Sequence, residues 1–302
     1  MKRIKKKIRR SMAAAALGLF SRWVRSVPDS RIAGFARRLG SFVLLLVPAH
    51  RKRAEAQIRD MLSDYDADDA RNLTRSMFKH LAHNAVETIR LPSMSREQRL
   101  SLVDGHGIDL FRSVYNRGKG LIAITGHIGC WELLAAYFSD LGFPVNVVAR
   151  RRSNRAIGRM ITELRGSYGV VELDRDSDAR KMFRALKRGE VVAMLVDQDT
   201  RVDGIFSPFL GKSAFTPSGH ARLAYRTGAP IVVVSIHRQE SGRHAVTVHE
   251  EILMPGTDES SSISAVVNRC NESLSRIIRE HPEQWIWFHR RWKRRPPDEN
   301  AA

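Results

Sequence analysis

Gly120-Leu-Ile-Ala-Ile-Thr-Gly-His-Ile-Gly-Cys-Trp-Glu132 joins an apolar, β-branched run to the start of a helical pattern. Leu121–Thr125 reads as a buried strand, and Trp131–Phe138 carries apolar residues at helical intervals. On one continuous helix, residues five apart point roughly 140° away from each other. With Gly126 and Gly129 punctuating the stretch, His127 is instead expected in the turn and Glu132 in the first helical turn. There the two side chains can meet, and the helix N-terminus favours an ionised Glu132. A carboxylate on an imidazole fixes its tautomer and stabilises the imidazolium formed when the ring takes a proton. Free N–H groups at the same helix start suit a developing oxyanion. The plainer alternative is a His that only caps the turn, beside a Glu on a solvated face.

Outward from this junction the chain alternates strands and helices. Strands are expected at Leu121–Thr125, Val145–Ala149, Val170–Leu173, Val191–Asp197, Ile231–His237 and Ala245–Val248. Helices are expected at Cys130–Asp140, Ala156–Tyr168, Asp178–Arg188, Ser218–Thr227 and Ser262–Glu280. That order predicts an α/β fold with a mostly parallel central sheet flanked by helices, where ligands sit at strand carboxyl ends. Residues 1–100 read as a helical segment, 101–297 as the α/β domain and 298–302 as a tail. Within the first part, Ala67–Arg90 has helical spacing and Pro92 ends it.

The formal charge of +19 points to an anionic partner: nucleic acid, an anionic membrane or a phosphorylated substrate. The two cysteines, Cys130 and Cys270, have no metal-like spacing and imply no disulfide framework, which fits a reducing compartment. Cys130 lies inside the key turn, so a thiol nucleophile is one possible reading. The chain begins Met1-Lys-Arg-Ile-Lys-Lys-Lys-Ile-Arg-Arg10, and apolar patches follow at Met12–Phe20 and Ser41–Ala49. Neither patch has the ~20 apolar residues that span a bilayer. The first resembles a weak signal peptide but lacks a small-residue cleavage site. Basic residues beside short amphipathic helices with Trp23, Phe35 and Phe42 suit a monotopic membrane surface. Each Lys or Arg near an anionic leaflet contributes about 1 kcal/mol. A solvated basic tail is the bland alternative, and no recognised nucleic-acid motif accompanies the leader.

Ala149-Arg-Arg-Arg-Ser-Asn-Arg155, with Arg159 and Arg165, places guanidinium groups past a strand, an arrangement suited to phosphate. Val196-Asp-Gln-Asp199 closes another strand. Gly204–Gly211 is read as a loop whose Phe206 and Phe209 either line an apolar channel or belong to the core. The carboxyl-terminal Trp285, Trp287, Phe288, His289, Trp292 and their neighbouring Arg and Lys residues fit a membrane interface or single-stranded nucleic acid equally well.

Together these segments resemble the late lipid A (lauroyl/myristoyl) acyltransferases of the lysophospholipid acyltransferase superfamily. The resemblance spans about residues 40 to 296. It is carried by His127-Ile-Gly-Cys-Trp-Glu132, Arg150 with Asn154, Arg165 and Gly169, and Asp197-Gln-Asp199. It continues through Gly204–Gly211, Thr216-Pro-Ser-Gly219, Gly228-Ala-Pro230 and Gln284-Trp-Ile-Trp-Phe-His289. Members commonly have Asn where Cys130 and Gln57 stand, and many begin with a clearer hydrophobic anchor helix. The resemblance implies a glycerol-3-phosphate acyltransferase-like fold. It also implies transfer of a fatty acyl chain from an acyl-carrier-protein thioester to a hydroxyl of a lipid A precursor or related glycolipid. His127 would be the general base, Glu132 would orient it, and no acyl-enzyme would form. Arg150, Asn154, Arg165, Asp197, Gln198, Asp199, Phe206 and Phe209 would form the substrate site, with no metal and no cofactor beyond the thioester. The implied partners are acyl carrier protein, an anionic membrane surface and an amphiphilic lipid acceptor, with no nucleic acid. The implied location is the cytoplasmic face of the bacterial inner membrane. A thioester hydrolase using the same pair on water, or a non-enzymatic basic binding protein, are the rival readings.

Overall fold

A computed structural model describes residues 15–152 and 154–297, with the backbone alone at Arg155. The basic leader Met1–Arg10 and the tail 298–302 lie outside the described residues.

Four helices come first: α1 over 15–26, α2 (Asp29–Leu46), α3 (Pro48–Met61) and α4 (Ala67–Arg90). Asp66 starts α4 with a capping box, its carboxylate accepting from the backbone N–H groups of Asp68 and Asp69. Pro48 at the first turn of α3 forces a break after α2, and the two axes bend by 97°. Next come α5 (Arg96–Ser101), β1 (Val103–His106), α6 (Ile108–Tyr115), β2 (Leu121–Thr125) and α7 (Trp131–Asp140). Then follow β3 (Val145–Ala149), α8 (Arg155–Gly166), β4 (Val171–Asp174), α9 (Ala179–Lys187) and β5 (Val191–Leu195). The chain ends with β6 (Gly204–Phe209), β7 (Lys212–Pro217), α10 (Gly219–Thr227), β8 (Ile231–Arg238), β9 (His244–Ile252) and α11 (Glu259–Glu280). An irregular carboxyl-terminal segment follows α11.

The main sheet has seven strands in the order β1-β9-β8-β2-β5-β3-β4, parallel except for the β8/β9 hairpin. This is the mostly parallel, helix-flanked sheet expected from the sequence. Every residue of β2 is buried. Alternate residues face two different cores, as a strand's two-residue period requires. Ile122 and Ile124 pack with Val192, Met194, Val233, Met77 and Trp285; Leu121 and Ala123 pack with Val191, Val232, Leu133 and Phe138. The first of these cores therefore joins α4 and the carboxyl-terminal segment to the sheet.

The stretch expected to be a loop at Gly204–Gly211 is instead most of a separate hairpin, β6/β7. Its two-residue turn, Leu210-Gly211, has positive φ at both positions (52° and 91°), the twist that a tight hairpin demands. Leu210 is buried, and its N–H donates to Ser275 Oγ at 2.9 Å, which holds a conformation that a branched side chain rarely adopts. The edge strand β1 is too short and polar to show an alternating pattern, so sequence periodicity missed it.

Candidate active site

Parallel pairing of β2 with β5 sets Thr125 beside Leu195. Continuing that register two residues past each strand brings His127 to Asp197. Asp197 is fully buried and accepts three hydrogen bonds, each 2.8 Å long: from His127 N–H, from His127 Nδ1 and from Trp285 Nε1. Burial alone would raise this carboxyl. The adjoining His127 ring and the three donors outweigh it and hold the group well below the usual carboxylate range. An ionised carboxylate only accepts, so Nδ1 carries a proton, and in the neutral form of the ring Nε2 is the nitrogen with the lone pair.

The turn between strand and helix is clamped from several sides. Asn84 Nδ2 donates to Gly129 O at 2.7 Å, Gly129 N–H donates to Gln284 O at 3.0 Å, and Ile128 pairs with Trp285 as an isolated bridge. Gly129 has φ 54°, and a Cβ there would sit 2.1 Å from Ile236 O, so no other residue fits. Trp131 packs edge-on against the His127 ring at 5.2 Å between centroids.

Glu132 is not the partner of His127. Its carboxylate is buried and accepts from Arg165 Nε at 2.9 Å and Arg165 Nη2 at 2.6 Å, with Tyr168 Oη at 3.4 Å. The remaining Arg165 nitrogen, Nη1, donates to Glu172 at 2.6 Å. Burial would lower the Arg165 guanidinium; Glu132 and then Glu172 reverse that and raise it. The sequence reading had the right turn but the wrong carboxylate. Glu132 sits in the first turn of α7 and faces α8, whereas Asp197 arrives from the neighbouring strand. Arg165, expected to bind substrate, has its whole guanidinium committed within the protein.

The other expected substrate residues divide. Gln198 lies against the His127 ring, with Nε2 3.0 Å from Nδ1, 3.1 Å from Nε2 and 2.8 Å from His289 Nε2. Asp199 lies beside it but accepts from Arg294 Nε at 2.7 Å, anchoring the carboxyl-terminal segment, while the Arg294 guanidinium lies over the Phe215 ring. Asn154 caps α8 by accepting from Ala156 N–H at 3.1 Å. Arg150 stands 70% exposed past β3, with Asp176 at 3.8 Å. Of the two arginines expected in the substrate site, Arg150 and Arg165, it is Arg150 that stays open to solvent. Phe209 is fully buried beneath Trp285, Trp292 and the Arg291 guanidinium, and Phe206 packs edge-on against Phe215. Neither Phe lines the two cavities beside the site, and both rings pack within the hairpin and against its neighbours. The first cavity, about 340 Å³, opens under Trp131 and Glu132 between α1, α4 and α8, and the half-buried Arg152 lines it. The second, about 480 Å³, is lined by Val148, Met182, Phe183, Met194, Val196 and Leu223.

Cys130 is buried, and that burial pushes its thiol up to about 12, which removes it as a nucleophile at neutral pH. Among the described residues no group of His, Cys, Asp and Glu is arranged to hold a metal ion. Trp285 and His289, which complete the arrangement, were visible in the sequence as members of an aromatic-basic run and of the Gln284–His289 stretch that carries the resemblance, with no role at the site assigned to either.

A family model described as bacterial lipid A biosynthesis acyltransferase matches residues 2–294. The chain belongs to that family. It is thus an acyltransferase. A phosphatidylinositol mannoside acyltransferase of Mycolicibacterium smegmatis is 23% identical over 299 residues, covering 95% of this chain and 94% of that protein. The lipid A biosynthesis palmitoleoyltransferase of Escherichia coli is 23% identical over 288 residues, covering 94% of this chain and 92% of that protein. The lipid A biosynthesis lauroyltransferase of the same organism is 31% identical over 193 residues, 63% of this acyltransferase and 61% of that one.

Proposed function

We propose that this acyltransferase moves a fatty acyl chain from an acyl-carrier-protein thioester to a hydroxyl of a lipid A precursor or related glycolipid. The observation that carries the reading is His127 held through Nδ1 on a buried, ionised Asp197. That contact leaves Nε2 as a base beside the open side of the sheet. The acceptor O–H gives its proton to Nε2 while its oxygen attacks the thioester carbon. The carbonyl electron pair moves onto oxygen, then returns as the C–S bond breaks, and the thiolate takes the proton from Nε2. The products are an ester and a free thiol, and His127 ends neutral. The buried Cys130 thiol gives no local acyl-enzyme, which favours direct attack. The cavity of about 480 Å³ begins at Val196, next to Asp197; it mixes apolar side chains with Arg175, Asp203, His220, Arg222 and Arg226, and its apolar part offers room for the acyl chain. A chain of net charge +19 attracts both an acidic carrier protein and anionic headgroups.

Purified protein given the lauroyl thioester of acyl carrier protein should acylate a lipid A precursor, read as a mass increase of one acyl group. A parallel reaction with phosphatidylinositol mannoside tests the other acceptor class named by a relative. Release of free fatty acid at the same rate with and without acceptor would replace this reading by a thioester hydrolase.

Membrane attachment belongs to the same proposal. Among the described residues no single helix is long and apolar enough to cross a membrane, although α2 and α3 form a bent pair that passes together. At that bend Phe42, Leu45 and Leu46 are 58%, 70% and 62% exposed, and exposed Arg37, Arg38 and Lys52 lie close in sequence. Apolar side chains flanked by cations fit the headgroup boundary. Changing all three apolar residues to Ser removes about 1 kcal/mol or more of insertion energy each. Binding to anionic phospholipid vesicles should fall about a hundredfold, while turnover of detergent-dispersed substrate persists. Unchanged vesicle binding would move the docking surface elsewhere.

A further inference from the structure

We propose that Gln198 is the oxyanion donor of this site and that His289 is the positioning residue that aims it; the assignment rests on the acyl-transfer reading above. The Gln198 amide nitrogen lies 3.0 Å from His127 Nδ1 and 3.1 Å from Nε2, about equally far from both, which sets it against the face of the ring while Nδ1 stays bonded to Asp197. The same amide nitrogen lies 2.8 Å from His289 Nε2. A carboxamide nitrogen has two hydrogens, and here one is directed at His289 Nε2 while the other lies over the His127 ring. In this orientation the amide presents hydrogens, and not its oxygen, to the ring face.

With the amide over the ring face, an acceptor hydroxyl reaches the His127 Nε2 lone pair in the ring plane, beside the amide. The amide keeps one N–H on His289 and leaves the other free for substrate, its nitrogen about 3 Å from the base, which is hydrogen-bond range. The tetrahedral carbon forms on the oxygen bonded to Nε2, so the developing oxyanion lies one substituent away, within reach of that N–H. A fixed side-chain amide is a known kind of oxyanion donor. The helix start offers less than its sequence promised, because the Leu133 N–H already bonds the Cys130 thiol.

His289 suits its part for two reasons. Burial, together with the nearby His127 and His50 rings, pushes it down to about 4, so it stays neutral and keeps an accepting lone pair. Its backbone is also held: Gln57 Nε2 donates to His289 O at 2.8 Å and to Trp287 O, and Arg53 Nη1 donates to Phe288 O at 3.3 Å. Helix α3 thereby fixes the segment that fixes the amide. The Gln57 position, where the resembled family has Asn, makes that contact.

The test is kinetic, with the lauroyl thioester of acyl carrier protein and a lipid A precursor. Gln198→Met should lower kcat about 10²- to 10³-fold, the cost of one oxyanion donor, with little change in KM. His289→Ala should lower kcat about tenfold or more, and His289→Gln, which restores an acceptor, should recover most of it. The double variant Gln198→Met/His289→Ala should be no slower than Gln198→Met alone, since one residue acts through the other. Thermal unfolding of each variant near the wild-type midpoint separates these losses from misfolding, and His289→Phe serves if the Ala variant fails to fold. Losses that multiply in the double variant, or that appear in KM alone, overturn the assignment while leaving acyl transfer intact. Wild-type protein that neither transfers nor hydrolyses the thioester overturns the acyl-transfer reading, and this assignment with it.

Discussion

Asp197→Asn is expected to lower kcat by about 10⁴, nearly as much as removing the base itself with His127→Ala. The reason lies in how the carboxylate is shared. Its Oδ2 accepts from His127 N–H and Trp285 Nε1, and its Oδ1 accepts from His127 Nδ1. An Asn placed here keeps its oxygen on the first two donors, because both are fixed N–H groups. Its NH₂ must then face His127 Nδ1, which forces the ring proton to Nε2. The ring is held in place but in the wrong tautomer, and it can no longer take a proton from the acceptor hydroxyl. KM should move little, because the packing is nearly unchanged. A variant with kcat within tenfold of wild type would show that Asp197 does not set the tautomer. The same group predicts a pH signature in stability. Its folded-state value lies below the unfolded value of about 3.9, so its stabilisation is complete above that pH and is lost as pH falls through the folded value. The gap in thermal midpoint between wild type and Asp197→Asn should therefore be flat through neutral pH and close only in acid.

The sheet was legible because β2, β3, β5 and β8 are apolar runs bounded by turn signals, buried on both faces as parallel strands are. The position of His127 was legible as well, since a His set between glycines after such a run falls in the turn at the strand's carboxyl end, where ligands sit. Its partner was not, because periodicity describes each strand alone and says nothing of strand order. Once β5 is known to lie beside β2, the pairing of Thr125 with Leu195 predicts His127 against Asp197 by simple counting. Glu132 was misread for the same reason. Spacing placed it near His127 but did not reveal that α8 brings Arg165 to the other side. Trp285 and His289 come from the far end of the chain, and an aromatic-basic run looks the same on a membrane surface as inside a site. Phe209 shows the opposite error: an apolar residue in a glycine-bounded stretch was open to a binding role, while the hairpin simply buries it.

Arg165→Met should be among the most destabilising single changes in the molecule, by about 3–5 kcal/mol. Glu132 is buried at the start of α7, and Arg165 supplies two charge-assisted hydrogen bonds to its carboxylate, with Tyr168 a more distant third donor. Removing the guanidinium leaves that charge without a counterion and strips Glu172 of its closest partner, Arg152 remaining at 3.9 Å. Neutralising Glu132 as well is a different matter, because the buried carboxylate no longer needs a counterion and only Glu172, still 3.9 Å from Arg152, has lost a partner. Glu132→Gln/Arg165→Met should therefore unfold well above Arg165→Met alone, and the double-mutant cycle should return a large coupling energy. In a chain of this size the single change corresponds to a fall in thermal midpoint on the order of 10 °C. Activity should fall with it, because α7 carries Trp131 against the His127 ring and starts at the catalytic turn. The two measurements together decide the residue's role. A midpoint close to wild type with a raised KM would return Arg165 to the substrate site that its sequence position suggested. A lowered midpoint, with kcat recovering in the double variant, makes the Glu132–Arg165 pair the brace that holds the catalytic turn against α8.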